Sequence, residues 1–284
     1  MSKSLAILAV AGGLSLLGVS AQAQPSDAVD WSGGYVGLNG GWNEERTTAG
    51  PSSITVNQLS GVNAGAGPVS VPPITFTSAR RRLSHDGFMG GGQVGFNGQM
   101  GAFVFGAEGD FDGMSGRSRA FDAYTLPATG LTSGSTVAVQ RFADPNWTAT
   151  LRGRVGYGIN RALIYATGGV AWVNMRDRAF YTYAPTVTGA VTTANPGVAF
   201  GPFNSSGARE NTRTGWTVGG GVELMTARNF TVGVEYRHTE VDDWNDNFQT
   251  GAPNGVSDLA RMRYRDDAVL AKVNLKFSAF GHMF

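Results

Sequence analysis

The stretch Trp147-Thr148-Ala149-Thr150-Leu151-Arg152-Gly153-Arg154-Val155-Gly156-Tyr157 decides how this chain folds. Trp147, Ala149, Leu151, Val155 and Tyr157 alternate with Thr148, Thr150, Arg152, Arg154 and Gly156. A period of two with one apolar face is the mark of a β-strand. This strand is tipped with aromatics on its apolar face and holds two arginines on the other.

Seven further segments read the same way. Val36, Leu38 and Trp42 oppose Tyr35, Gly37, Asn39 and Gly41. Phe88, Val94 and Phe96 oppose Gln93, Gly95 and Asn97. Phe103, Phe105, Ala107 and Phe111 oppose Val104, Gly106, Glu108 and Asp110. Ile164, Ala166, Val170 and Trp172 oppose Tyr165, Thr167 and Gly169. Trp216, Val218, Val222 and Leu224 oppose Thr217, Gly219, Gly221 and Glu223. Phe230, Val232, Val234 and Tyr236 oppose Thr231, Gly233, Glu235 and Arg237. Val269, Ala271, Val273, Leu275 and Phe277 oppose Lys272, Asn274 and Lys276. Each segment is about ten residues, the length of a tilted strand that crosses a bilayer. None has the 3.6-residue period of an amphipathic helix.

The amino terminus carries an address. Lys3 precedes an uncharged apolar run, Leu5 to Val19, and then the small-x-small pattern Ala21-Gln22-Ala23. This is the three-part layout of a secretory signal peptide cleaved before Gln24. The apolar run is too short for a spanning helix, and the rest of the chain has no longer one. An exported chain without a helical anchor is either a soluble secreted protein or an outer-membrane barrel.

The connections separate those two classes. They run roughly 44, 4, 35, 5, 41, 5 and 28 residues between successive segments. Long and short connections that alternate are the topology of a bacterial transmembrane barrel, with short periplasmic turns and long extracellular loops. The sequence therefore predicts an all-β protein, an eight-stranded antiparallel up-and-down barrel in a bacterial outer membrane. Its parts are a signal peptide (1–23), a periplasmic segment (24–33), the barrel (34–277) and a seven-residue extension (278–284). A ten-strand variant arises if Ser53 to Leu59 and Val71 to Ser78 pair as a hairpin within the membrane.

Composition agrees. Of 284 residues, 42 are Gly and none is Cys, and formal net charge is +1. Absence of Cys removes disulfides, thiolate metal sites and a Cys nucleophile. The balanced charge argues against a nucleic-acid partner. The charged fraction of 15% is low against the roughly 25% of soluble domains.

Charges fix the orientation of the wall. Glu108, Asp110, Glu223 and Glu235, with Arg152, Arg154, Arg237, Lys272 and Lys276, all fall on the second face. Arg or Lys facing lipid at the bilayer midplane costs about 2–4 kcal/mol. The charges therefore point into the lumen. An eight-stranded lumen is only wide enough for side chains to fill it. Mutually paired charges are expected to close it. A small diffusion channel is the alternative.

Several motifs resemble a known family. Trp31-Ser32-Gly33-Gly34-Tyr35-Val36-Gly37-Leu38-Asn39-Gly40-Gly41 resembles the first strand of small outer-membrane barrels related to the OmpA transmembrane domain. Phe105 to Phe111 resembles their third strand, Leu163 to Ala171 their fifth, and Ala268 to Phe277 their closing strand. The likeness is to the 25–31 kilodalton surface proteins of alphaproteobacteria. It implies a structural, adhesive or weak pore role and no cofactor. It also implies recognition of a terminal aromatic by the barrel-assembly machinery. That aromatic is Phe277 or Phe284. With only seven residues after Phe277, a peptidoglycan-binding domain after the last strand is not expected.

Other motifs read modestly. Gly90 to Gly95 matches G-x-G-x-x-G, but it lies within a strand and no helix follows, so nucleotide binding is not expected. His85 beside Asp86, and His238 near Glu240, Asp242 and Asp243, would suit an outer-membrane hydrolase or acyltransferase only if a nucleophile and an orienting group converged on them. No catalytic or metal site is assigned. Arg80, Arg81 and Arg82, with Arg117 and Arg119, lie on the extracellular side and could contact lipopolysaccharide phosphate. Asp242, Asp243, Asp246 and Asp258 lack calcium-loop spacing and read as a solvated fourth loop. The loop stretches Gly61 to Pro73 and Thr186 to Ser206 are where an extracellular ligand would be met.

Overall fold

The computed structural model describes residues 29–56, 60–63, 68–70, 74–125, 136–184, 203–249 and 256–277. The signal-peptide reading, with Ala21 and Ala23, and the 278–284 extension lie outside them. The strands are β1 (Gly33–Ala49), β2 (Ser53–Val56), β3 (Ser60–Asn63), β4 (Pro68–Ser70), β5 (Ile74–Thr77), β6 (Arg81–Met100) and β7 (Phe103–Ser115). They continue with β8 (Ser118–Thr125), β9 (Thr136–Ile159), β10 (Ala162–Ala184), β11 (Phe203–Ala227), β12 (Phe230–Gln249) and β13 (Val256–Phe277).

Eight of them close a ring in the order β1-β6-β7-β9-β10-β11-β12-β13, and β13 returns to β1. Gly34 opposes Phe277 and Trp42 opposes Val269 in that closing pair. All ring pairs are antiparallel. Closure matters in lipid because an open edge would leave backbone groups without partners. The predicted hairpin also forms, between β2 and β5. It does not enter the ring. It attaches to the extracellular end of β13, where Val256 opposes Val56, and the ring keeps eight strands.

Three turns are tighter than the spacing suggested. Gly101-Ala102, Asn160-Arg161 and Arg228-Asn229 each join two strands. Asn160 and Gly101 take positive φ, 52° and 64°, as tight hairpin turns demand. At the other end the strands run far past the bilayer; β11 has 25 residues and β10 has 23. Two irregularities interrupt this part of the wall, at Asn174/Met175 opposite Pro145 and at Val241/Trp244. Proline cannot donate to the ladder, which fits the first of these.

Along β13 the inward face stays buried throughout, but the polarity of the two faces inverts. On β13, Val273, Leu275 and Phe277 face outward through the bilayer and Lys272 faces in. Nearer the extracellular end, Arg261, Arg263 and Arg265 face outward and Ala260, Met262 and Tyr264 are buried. The reason is the solvent. Lipid surrounds the lower wall and water surrounds the upper wall, so the apolar face changes sides at the outer aromatic girdle. Trp42, Phe88, Phe111, Trp172, Trp216 and Tyr236 mark that girdle with exposed rings.

Gly41 shows how closely the wall is built. A Cβ there would sit 1.9 Å from the carbonyl oxygen of Val269 on the paired strand. The backbone would have to move. Gly41→Ala is expected to cost about 1–3 kcal/mol, read as a lower urea midpoint of the refolded barrel in detergent micelles.

Candidate functional site: the lumen ion-pair network and its rim

The lumen at membrane depth holds a buried ion-pair network. Arg152 on β9 is its hub. Its Nη2 lies 2.6 Å from Glu108 Oε1 and 2.8 Å from Asp110 Oδ2, and its Nη1 lies 2.5 Å from Glu235 Oε1. Lys272 Nζ joins Glu108 at 2.7 Å and Glu235 at 2.9 Å. Arg237 Nη1 reaches Asp110 at 2.7 Å, and its Nη2 reaches Asp112 at 2.7 Å. Strands β7 and β12, which carry these partners, are four places apart in the eight-strand ring. The Arg237 pair therefore spans the diameter of the barrel.

Arg154 forms a neighbouring group. Its Nη2 is 2.7 Å from Glu223, and its guanidinium stacks 3.7 Å over the Tyr165 ring. Tyr35 donates to Glu108 at 2.7 Å and Tyr165 donates to Glu235 at 2.8 Å. Thr150 donates to Asp110 at 2.5 Å. Near the periplasmic side Gln93 donates to Asn274 at 2.5 Å. All eight ring strands thus place a polar side chain in the lumen.

Eight of the nine lumen charges predicted from alternation meet here. Lys276 does not. Its Nζ donates to the Asp30 carbonyl at 2.6 Å beside the Trp31 ring, at the periplasmic mouth. Asp112, one residue beyond the apolar segment that ends at Phe111, joins them through Arg237. The signal was present: Glu108, Asp110 and Asp112 keep one parity. The count of acids to bases becomes five to four rather than four to five. Tyr35 and Tyr165 share the inward face and join the network through their hydroxyls, which net charge does not reveal.

Apolar layers lie at both ends of the network. Toward the periplasm Trp31, Val104, Leu163 and Met225 pack together. Above the girdle, Val173, Met175, Val241, Met262 and Tyr264 fill the interior. Higher still, Ile54, Val56, Val137, Val139, Tyr181, Tyr183 and Val256 form a further cluster, to which the β2 strand contributes.

Between the ion pairs and the upper apolar layers sits a row of inward residues. His85, Glu45 and Asp266 are direct neighbours in register on β6, β1 and β13. Asn43 donates to Asp266 at 2.7 Å. Burial pushes the Asp266 carboxyl up to about 6. Burial, then the charges of Asp266, Asp144 and Asp177, holds Glu45 well above the ordinary carboxylate range.

The two rim histidines occupy different sides of the wall. His85 faces in. His238 faces out, with Nδ1 2.7 Å from Asp267 Oδ1, the oxygen that also accepts from Tyr236 at 2.6 Å. They do not converge on one site. The predicted acidic fourth loop also divides. Asp258 is buried inside, paired with Arg141 and accepting from Tyr181 at 3.1 Å. Asp243 lies outside, 2.6 Å from Arg263 and 2.8 Å from Arg261. The structure separates the predicted phosphate-contact arginines too. Arg81 turns inward to Asp122 and donates to Tyr124 at 2.7 Å. Arg117 and Arg119 lie by Asp144 and Phe142. Arg80 and Arg82 remain exposed on the outer wall near β1.

The family profile described as an outer membrane protein beta-barrel domain matches residues 9–253. The chain belongs to that family. It is a protein of the bacterial outer membrane. The 31 kDa outer-membrane immunogenic protein of Brucella melitensis is 28% identical over 225 residues, covering 78% of this chain and 76% of the relative. The 22 kDa outer membrane protein of Rhizobium leguminosarum is 29% identical over 164 residues, 57% of each chain. Among solved structures, OprG from Pseudomonas aeruginosa aligns with 88% of this chain and 99% of its own chain, at 9% identity and a TM-score of 0.38. The resemblance drawn from the strand motifs holds at the level of the family, and this outer-membrane barrel shares it with surface immunogens.

Proposed function

We propose that this outer-membrane barrel is a closed structural and surface-interaction protein rather than a channel or an enzyme. The observation that carries the reading is the Arg237 bridge to Asp110 and Asp112 across the full diameter of the lumen. Arg152 and Lys272 stand beside it, and apolar layers lie above and below. An ion would have to displace several buried pairs and then cross packed side chains. The work of such a barrel falls to its exterior. It anchors to outer-leaflet lipid, and its long extracellular connections meet whatever lies outside the cell. The aromatic end of β13 at Phe277 is the feature by which the assembly machinery would take it up.

Planar-bilayer recording tests this directly. The refolded protein is expected to insert and stay silent at moderate voltage. Reproducible conductance steps from wild-type protein would overturn the closed reading in favour of the diffusion channel.

A further inference from the structure

We infer that the outer wall just above the girdle, across β6, β1 and β13, is a binding site for the phosphorylated sugar headgroup of an outer-leaflet glycolipid. The inference rests on the family and fold, not on whether the lumen is closed.

Three strands far apart in sequence bring six arginines to one outward surface. Arg82, Thr48 and Arg263 form one row in register, and Ser84, Arg46 and Arg265 form the next. Arg261 is set beside Gly50 by a backbone hydrogen bond of 2.7 Å. Arg80 completes the group. Their side chains, with Glu44 and Asp243, line an open concavity of about 1050 Å³.

Arginines directly opposite one another, as Arg46 and Arg265 are, repel unless an anion lies between them. The wall supplies some. Glu44 is 2.7 Å from Arg46, Glu240 is 3.0 Å from Arg265, and Asp243 serves Arg261 and Arg263. Arg80 and Arg82 form no ion pair with the described residues. They border the same concavity with free guanidinium groups. Guanidinium donors match phosphate oxygens in paired geometry.

Height and surroundings select the ligand. Arg46 follows Trp42 by four residues, about 13 Å along a strand, and strand tilt leaves roughly 10 Å above the girdle. That is the level of headgroup phosphates. Directly below lies a row of carboxylates, Asp86, Glu44 and Asp267 in register, of which Glu44 and Asp267 are paired with Arg46. Beneath that row the Trp42 and Phe88 rings pack edge to face with centroids 6.1 Å apart, and exposed Leu38 lies deeper. A shelf topped by unpaired Arg80 and Arg82, with an apolar, aromatic slope beneath the paired acidic row, fits a molecule with phosphate above and acyl chains below. A soluble polyanion would use only the shelf.

The test uses the mature chain refolded in a nonionic detergent, with thermal unfolding followed while lipid is added. Bisphosphorylated lipid A is expected to raise the midpoint. Lipid A stripped of phosphate, and phosphatidylglycerol at equal charge, are expected to do much less. Arg80→Gln with Arg82→Gln removes two unpaired cations and orphans no carboxylate. It should weaken the lipid A response roughly tenfold. Arg117→Gln with Arg119→Gln, by β8 and β9, should change it by no more than about twofold. Arg261→Gln is a second variant should the first fail the gel-shift test for folding. Equal responses from wild type and both site variants would overturn the site. An equal response to phosphatidylglycerol, or a stronger one to heparin, would overturn the glycolipid assignment.

Discussion

An Arg152→Ala barrel is expected to unfold with about 3–5 kcal/mol less free energy than the wild type. Arg152 is buried and contacts Glu108, Asp110 and Glu235 at 2.5–2.8 Å. Its removal leaves three buried carboxylates sharing Lys272 and Arg237. Buried ion pairs add little over a well-packed apolar core, but breaking one strands a charge where water cannot reach it. The loss should appear as a lower urea midpoint and reduced mobility shift on unheated gels. Arg152→Lys should recover little, since one ammonium cannot hold three carboxylates in the arginine's planar geometry. Adding Glu235→Gln to the Arg152→Ala variant should regain part of the loss by removing one uncompensated charge. A single variant as stable as wild type would mean that the carboxylates find other partners, and the hub role would be wrong.

The second large effect is a gain. Asp266→Asn is expected to stabilise the barrel by about 2–3 kcal/mol at pH 8. Burial raises the Asp266 carboxyl from 3.8 to about 6, so the folded protein holds this proton more tightly than the unfolded chain does. Stability contributed by the neutral carboxyl is complete below about pH 4 and is lost as pH rises through 6. An amide stays neutral throughout and keeps a carbonyl oxygen for the Asn43 donor. The variant should therefore flatten the pH dependence of unfolding between 4 and 6. Glu45, Tyr264, Arg237 and His238 also act electrostatically in this region, and burial raises the Glu45 carboxyl as well, so some slope is expected to remain in the variant. An unchanged slope between pH 4 and 6 would show that Asp266 is hydrated in solution.

Much of the barrel could be read from the chain alone, and the errors have a common cause. Alternation at Trp147 to Tyr157 gave strand, face and depth together, because a single charged face is incompatible with lipid. The apolar-outward pattern marks only the part of each strand that lies in lipid. The strands continue past it with the faces exchanged, as in Arg261-Met262-Arg263-Tyr264-Arg265, whose alternation is equally regular. A pattern read for membrane polarity looks like loop once the surrounding solvent is water. The same limit hides Asp112, one residue beyond an expected strand end.

The sequence by itself determined the eight spanning segments, the face each turns to lipid and the set of charges that faces inward. These follow from a two-residue period and the cost of charge in hydrocarbon, which are local to each strand. Only the tertiary structure decided which charges meet. Ring closure set Arg237 opposite Asp110 and Asp112, stagger carried Lys276 to the periplasmic mouth, and the β6-β1-β13 contact gathered arginines from positions 46 to 265 onto one shelf. Partner and height depend on strand order and register, which no single strand encodes.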